Sequence, residues 1–283
     1  MTVAIPTTLT EALVALQTMP DALFLAGGSD LMVEINFNRR KPIDVIALRR
    51  VSELKTWFLS VDGKSLTIGA GVPYSAMEKG EIADLFPALA QAARTVGSPQ
   101  IRAVGTLGGN LGTCSPAGDG LPILSALDAM VHLQSLDGRR ALSFHDFMLG
   151  VKRNARSPLE LITGVTIPLL SGWQGYAKVG VRNAMVIAVA SACLAVDTKG
   201  RTIRLALGAV GPTIIRCRES EIWLAGEHDV SSVTPVSSNL AKQFGERAAA
   251  EAKPIDDHRS TAVYRRHAIS ILATRLLQRA FPS

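Results

Sequence analysis

The chain has 283 residues, 47% of them hydrophobic and 19% charged, with a formal net charge of +6. That length suits one large domain or two ordinary ones around a sizeable core. No apolar run reaches the roughly 18 residues of a membrane span and no secretory signal opens the chain, so a cytoplasmic protein is expected. The basic residues fall in short separate groups, Arg39-Arg40-Lys41, Arg49-Arg50, Arg139-Arg140 and Arg265-Arg266, without interleaved aromatics. This argues against a nucleic-acid binder and for solvated faces or a partner interface.

In chain order, Thr8 and Glu11 form a T-x-x-E capping box ahead of Leu13 and Leu16, which predicts a short helix ending near Met19-Pro20. The apolar run 22–26 predicts a buried strand that delivers the glycine pair Gly27-Gly28, and 44–48 a further strand, so the first segment reads as a small βαβ-like unit. From Lys64 the pattern changes. Residues 66–72 read as a strand running into a turn, and 87–96 as a helix with Pro87 in its first turn and Gly97 as a stop signal. Pro122 opens a helix expected over 123–130, strands over 131–134 and 161–167 close an α+β unit, and the turn chemistry of 168–175 marks a domain boundary. Beyond it, 176–181, 187–196 and 202–210 read as a three-stranded sheet. The spacing of Tyr264, Ala268, Ile271, Leu272 and Leu276 predicts a terminal helix, one of two over that sheet.

The chemistry sits in two glycine loops about eighty residues apart, Leu25-Ala26-Gly27-Gly28-Ser29-Asp30-Leu31-Met32 and Thr106-Leu107-Gly108-Gly109-Asn110. Glycine lets a backbone approach closely and adopt conformations other residues avoid. The pair therefore points to one large anionic ligand held from two sides by backbone N–H groups. In the first loop the N–H groups from Ala26 to Asp30 can form a nest, with the Ser29 hydroxyl beside them; a plain strand-to-helix turn is the alternative. The absence of a third glycine at G-x-G-x-x-G spacing disfavours a Rossmann site. In the second loop Thr106 offers a hydroxyl and Asn110 both a donor and an acceptor. Asp119, closing Ser115-Pro116-Ala117-Gly118-Asp119, suits ribose hydroxyls rather than phosphate, with a helix-capping role before Pro122 as the alternative. Cys114, Cys193 and Cys217 are scattered and the five histidines lack H-x-x-x-H spacing, so neither a thiolate cluster nor a zinc site is expected.

Taken together and in order, AGGSDL, PQIR-x-x-x-TLGGN, SPAGD, the stretch 162–168, Tyr176-Ala177-Lys178-Val179-Gly180-Val181-Arg182 and the terminal Tyr264-Arg265-Arg266 resemble the FAD-binding medium subunit of the molybdenum hydroxylases. This is the xanthine dehydrogenase and carbon monoxide dehydrogenase family, and the resemblance spans essentially the whole chain. Residues 32–37, 150–155 and 182–187 look most similar to bacterial xanthine dehydrogenase subunits. The implied fold is α+β, with a two-part FAD-binding domain of the vanillyl-alcohol-oxidase/PCMH type over 1–170 (subdomains about 1–55 and 56–170). A small C-terminal α+β domain, a three-stranded sheet with helices, would follow over 175–283. The resemblance implies that Leu25 through Met32 and Thr106 through Asn110 wrap the FAD pyrophosphate. It also implies that Asp119 is the family's S-P-x-x-D aspartate, that Ile162 packs by the flavin, and that Lys178 is the lysine of a Y/F-x-K motif near it. Read without the resemblance, Lys178 is an exposed strand lysine.

Neither loop contains the His or Cys that attaches flavin in relatives with covalent FAD, so a non-covalent cofactor is expected. No catalytic residue and no metal ligand are expected of this chain. Molybdopterin and [2Fe–2S] clusters would belong to a large and a small partner subunit. The implied role is electron transfer from those clusters to NAD⁺ or another acceptor, in a purine-oxidising complex. An autonomous flavin reductase of the enolpyruvyl sugar-nucleotide type would need a proton donor facing the flavin, and the sequence offers no candidate. A non-catalytic nucleotide-binding protein is the remaining alternative.

Overall fold

The structure is a computed structural model that describes residues 2–41, 43–232 and 234–282. It divides into two units interleaved in sequence. The first holds the chain up to Ala76 together with Ser98–Cys114 and Ala129–Pro168; the second holds Met77–Gly97, Ser115–Asp128 and the chain from Leu169 onward. Among the described residues no helix is long and apolar enough to cross a membrane.

In the first unit, Val45–Ala47 runs parallel to both Val3–Ala4 and Leu23–Leu25 in a three-stranded sheet. The helix Leu9–Thr18 connects the two outer strands. It starts at the expected capping box, where the Thr8 side chain accepts from the Glu11 N–H and the Glu11 side chain accepts from the Thr8 N–H. Leu16 on its inner face packs with Ala22 and Ile46. A five-stranded antiparallel sheet follows, in the order Trp57–Leu59, Ser65–Gly69, Leu161–Pro168, Met130–Gln134, Arg139–Ser143. Buried and less buried residues alternate along most of Ser65–Gly69 and Met130–Gln134, as a half-buried sheet requires, whereas Leu161–Pro168 shifts register between Ile162 and Gly164. Leu66, Ile68, Val131, Leu133, Val165 and Ile167 are buried. The other face carries Thr67, Thr166 and His132, joined through the Thr166 hydroxyl at 2.7 and 2.6 Å.

The second unit is built on an antiparallel sheet, Gly172–Val179, Ala190–Asp197, Thr202–Gly208 and Ile215–Arg216 in that order. Side chains of the helices Arg218–Glu227, Ser238–Glu251 and Ala262–Ala280 close a core over one face, with Leu194, Leu205, Leu207, Phe244, Ile269 and Leu276 at its centre. On Gly172–Val179 the alternate residues Trp173, Ala177 and Val179 pack into that core. Gln174 and Lys178, of the other parity, bond to the carbonyls of Leu85 and Thr95. These carbonyls lie at the start and the end of the segment that carries the helix Pro87–Thr95.

Three expectations need correction. The sheet has a fourth strand, Ile215–Arg216, which the short apolar pattern hid; its Arg216 is anchored by Asp128 at 2.8 Å and by Glu221. Three helices rather than two cover the sheet, because Arg218–Glu227 buries the polar Ser220 and Glu221 and so lacks a clean apolar stripe. The helix after Pro122 spans Leu121–Ala126, ending well before residue 130, because Asp128 takes a left-handed conformation (φ 49°) that no helix continues through.

Candidate functional site

The first unit brings the two glycine loops together. Gly27 lies so close to the end of the helix Pro99–Val104 that a Cβ there would sit 1.9 Å from the Val104 carbonyl oxygen, so this position accepts only glycine. Gly28 has φ +73°, the left-handed region that favours glycine. The loop then enters the helix Leu31–Asn36, whose Asp30 makes no side-chain cap. Asp30 is instead tied across to the second loop's helix by the Thr113 hydroxyl at 3.0 Å. Glu34, on the same helix, pairs with Lys152, whose ammonium holds its carboxyl below the usual carboxylate range.

The two loops offer different donors. In the first, the N–H groups of Gly27, Gly28, Ser29 and Asp30 find no acceptor among the described residues. Such a run of unspent donors can form a nest for an anion. In the second, the N–H groups of Gly108, Gly109 and Asn110 are spent internally. Gly108 donates to the Ala70 carbonyl at 3.1 Å, Gly109 to the Thr106 hydroxyl oxygen at 2.9 Å and Asn110 to the Thr106 carbonyl at 3.1 Å. Residues 106–110 are thus the capped first turn of the helix Leu107–Thr113, not a second nest. Gly108 serves packing, since a Cβ there would lie 2.5 Å from both the Cβ and the carbonyl oxygen of Ala70. Gly109 is different: a Cβ would meet only the Thr106 hydroxyl, at 3.2 Å, and otherwise open space. Ile162, 7% exposed, lies beside Thr163, whose carbonyl accepts from Ala70 N–H, so the strand Leu161–Pro168 supports the second loop through Ala70.

Asp119 and Lys178 come together in the second unit. The Lys178 ammonium donates to Asp119 Oδ2 at 2.8 Å and to the Thr95 carbonyl at 3.0 Å, and the Tyr176 hydroxyl donates to Asp119 Oδ1 at 2.8 Å. The side chains of Lys178 and Asp119 are only 7% and 10% exposed, so Lys178 is no surface lysine. Burial pushes the Asp119 carboxyl upward while Lys178 pulls it down. Burial and the neighbouring Asp119 push the Tyr176 phenol up. The following helix begins at Gly120 without a side-chain cap, so Asp119 does not cap it. The three cysteines are buried and free, with the Cys114 thiol pushed up to about 11.

Sequence reasoning missed Tyr74, Thr113 and the tie from Tyr176 to Asp119. Thr113 and Tyr74 act across 83 and 36 residues of chain, and neither belongs to a periodic pattern or a glycine motif. Tyr176 stood in a motif with Lys178, and its position two residues away on one strand put both on the same face.

Comparison with known proteins identifies the chain along its length. Residues 1–170 match the FAD binding domain in molybdopterin dehydrogenase, and residues 176–280 the CO dehydrogenase flavoprotein C-terminal domain. The glyceraldehyde dehydrogenase medium chain of Sulfolobus acidocaldarius is 31% identical over 271 residues, 94% of this chain and 93% of its own. The nicotinate dehydrogenase FAD-subunit of Eubacterium barkeri is 35% identical over 78% of each chain. The structure of carbon monoxide dehydrogenase from Hydrogenophaga pseudoflava superposes with a TM-score of 0.88 at 26% identity, covering 99% of this chain and 96% of that one. The protein therefore belongs to the FAD-binding subunits of the molybdenum hydroxylases.

Proposed function

We propose that the chain carries a non-covalently bound FAD within a cytoplasmic molybdenum hydroxylase complex and passes electrons from a partner's iron–sulfur clusters to NAD⁺ or another acceptor. The observation that carries the reading is the run of N–H groups from Gly27 to Asp30 with no acceptor among the described residues, the kind of donor run that holds a phosphate. In this reading Leu25 through Met32 hold the pyrophosphate with backbone donors and the Ser29 hydroxyl. Thr106 through Asn110 close the other side, with Gly109 leaving space for the ligand. Ile162 supplies apolar surface for the flavin. Asp119 and Lys178 are proposed as ligands on their motifs. The carboxylate keeps lone pairs for a ribose hydroxyl beyond the two it gives to Tyr176 and Lys178. The bound cofactor supplies the redox chemistry, while the protein binds it, orients it and sets its electrostatic surroundings.

The partners proposed are a large molybdopterin subunit and a small [2Fe–2S] subunit. The substrate belongs to the large subunit's pocket. The relatives' names span an aldehyde, a pyridine carboxylate, carbon monoxide and the purines caffeine and xanthine. A purine substrate is proposed on the stretches 32–37, 150–155 and 182–187, in line with the purine dehydrogenases among these relatives.

Native purification should recover molybdenum and iron alongside FAD, and acid precipitation should release the flavin into the supernatant. In the complex, xanthine is expected to bleach the flavin absorbance. Bleaching by an organic substrate with the isolated, metal-free chain would overturn the electron-transfer reading, and flavin left on the precipitated polypeptide would overturn the non-covalent one.

A further inference from the structure

The second loop has spent the N–H groups of Gly108, Gly109 and Asn110 on its own fold, so side chains are the donors it can add for an anion there. Beneath it lies Tyr74, only 1% exposed, at the start of the single 3₁₀ turn Tyr74–Met77. The segment fastens the loop three times. Pro73 bridges Thr106 in antiparallel pairing, the Tyr74 N–H donates to the Gly105 carbonyl at 3.0 Å, and the Tyr74 hydroxyl donates to Asn110 Oδ1 at 2.8 Å. A carboxamide has an acceptor half and a donor half. Here the hydroxyl donates to the carboxamide oxygen, which leaves the amide half turned the other way. The opposite orientation would set a carbonyl oxygen toward the ligand, where an anion repels it.

We propose that Tyr74 is a positioning residue for the cofactor: its hydroxyl locks the Asn110 carboxamide so that the amide half, not the carbonyl, meets the FAD pyrophosphate. The inference rests on the assignment of the two loops to the pyrophosphate made above. Thr106 and Asn110 then replace, with side-chain donors, what the N–H groups of Gly108, Gly109 and Asn110 cannot give.

The test is FAD titration of the full 283-residue chain stripped of flavin, followed by flavin fluorescence, with the melting temperature of each flavin-free protein measured alongside. Tyr74→Phe keeps the ring and removes only the hydroxyl. It should raise the Kd for FAD about three- to tenfold, the scale of one hydrogen bond, with the flavin-free melting temperature within a few degrees of the parent. Asn110→Ala should bind at least as weakly. The double variant should be within about twofold of Asn110→Ala alone, because the hydroxyl acts through the carboxamide. Asn110→Asp keeps an acceptor for Tyr74 but replaces the donor half by a negative oxygen. It should weaken binding more than about tenfold, and it carries the test if Tyr74→Phe fails to fold. An unchanged Kd in Tyr74→Phe, additive losses in the double variant, or full affinity in Asn110→Asp overturns the role of Tyr74 while the loop assignment stands. Failure of the unsubstituted chain to bind FAD overturns the loop assignment itself.

Discussion

Lys178→Met tests the buried pair of the second unit. The ammonium and the Asp119 carboxylate lie 2.8 Å apart with side chains 7% and 10% exposed. Removing the ammonium leaves a buried carboxylate whose remaining partner in the cluster is the Tyr176 hydroxyl. Breaking a buried pair from one side costs about 3–5 kcal/mol. At roughly 2–4 °C per kcal/mol for a unit of this size, the melting temperature should fall by roughly 6–20 °C. The loss should also depend on pH. Burial already pushes the Asp119 carboxyl above its ordinary 3.8, and without Lys178 nothing comparable pulls it back. An acid whose pKa is raised by folding contributes its full stability below the unfolded value and loses it as pH rises through the folded value. The penalty of Lys178→Met is therefore largest near neutral pH and shrinks toward about pH 5. Adding Asp119→Asn removes the charge while keeping an acceptor for Tyr176, and should recover roughly half the loss or more and flatten the pH profile. Urea and thermal unfolding of the flavin-free chain, followed by far-ultraviolet circular dichroism across that range, measures both. A penalty that is constant with pH and untouched by Asp119→Asn would refute the reasoning.

Two further predictions separate folding from binding. Gly108→Ala drives a Cβ to 2.5 Å from Ala70 and should destabilise the first unit by about 1–3 kcal/mol or more, whereas the Cβ of Gly109→Leu meets only the Thr106 hydroxyl, and this variant should fold yet lose its flavin on desalting. A folded Gly109→Leu chain that keeps all its flavin would sink the assignment of this loop. Glu160 accepts from Arg140 and from the Ser157 N–H, which hold its carboxyl down at about 2, against an ordinary 4.5. Its stabilising contribution is present above the ordinary value and lost as pH falls through the lowered one. Glu160→Gln should thus be less stable than the parent at neutral pH, with the two acid-unfolding curves converging near about pH 2. Equal stability at neutral pH would show the network to be silent.

What the sequence determined by itself is what short-range physics writes into a few consecutive residues. The reciprocal bonds of Thr8 and Glu11 span three residues and start a helix wherever the chain goes. The parity of Leu66 and Ile68, or of Tyr176 and Lys178, follows from the period of a strand. Pro87 presets a first helical turn. The two glycine loops were equally visible, because Gly-Gly is rare enough in element interiors to mark where a backbone does something unusual. Tertiary structure alone decided what each glycine is for. Gly27 and Gly108 make room for Val104 and Ala70, Gly28 turns the chain, and Gly109 stays open. It also decided that Asp119 answers to Lys178 across 59 residues and Asn110 to Tyr74 across 36. These pairings hinge on close approach and burial, and distance in space and loss of water are set by packing between segments that share no local pattern.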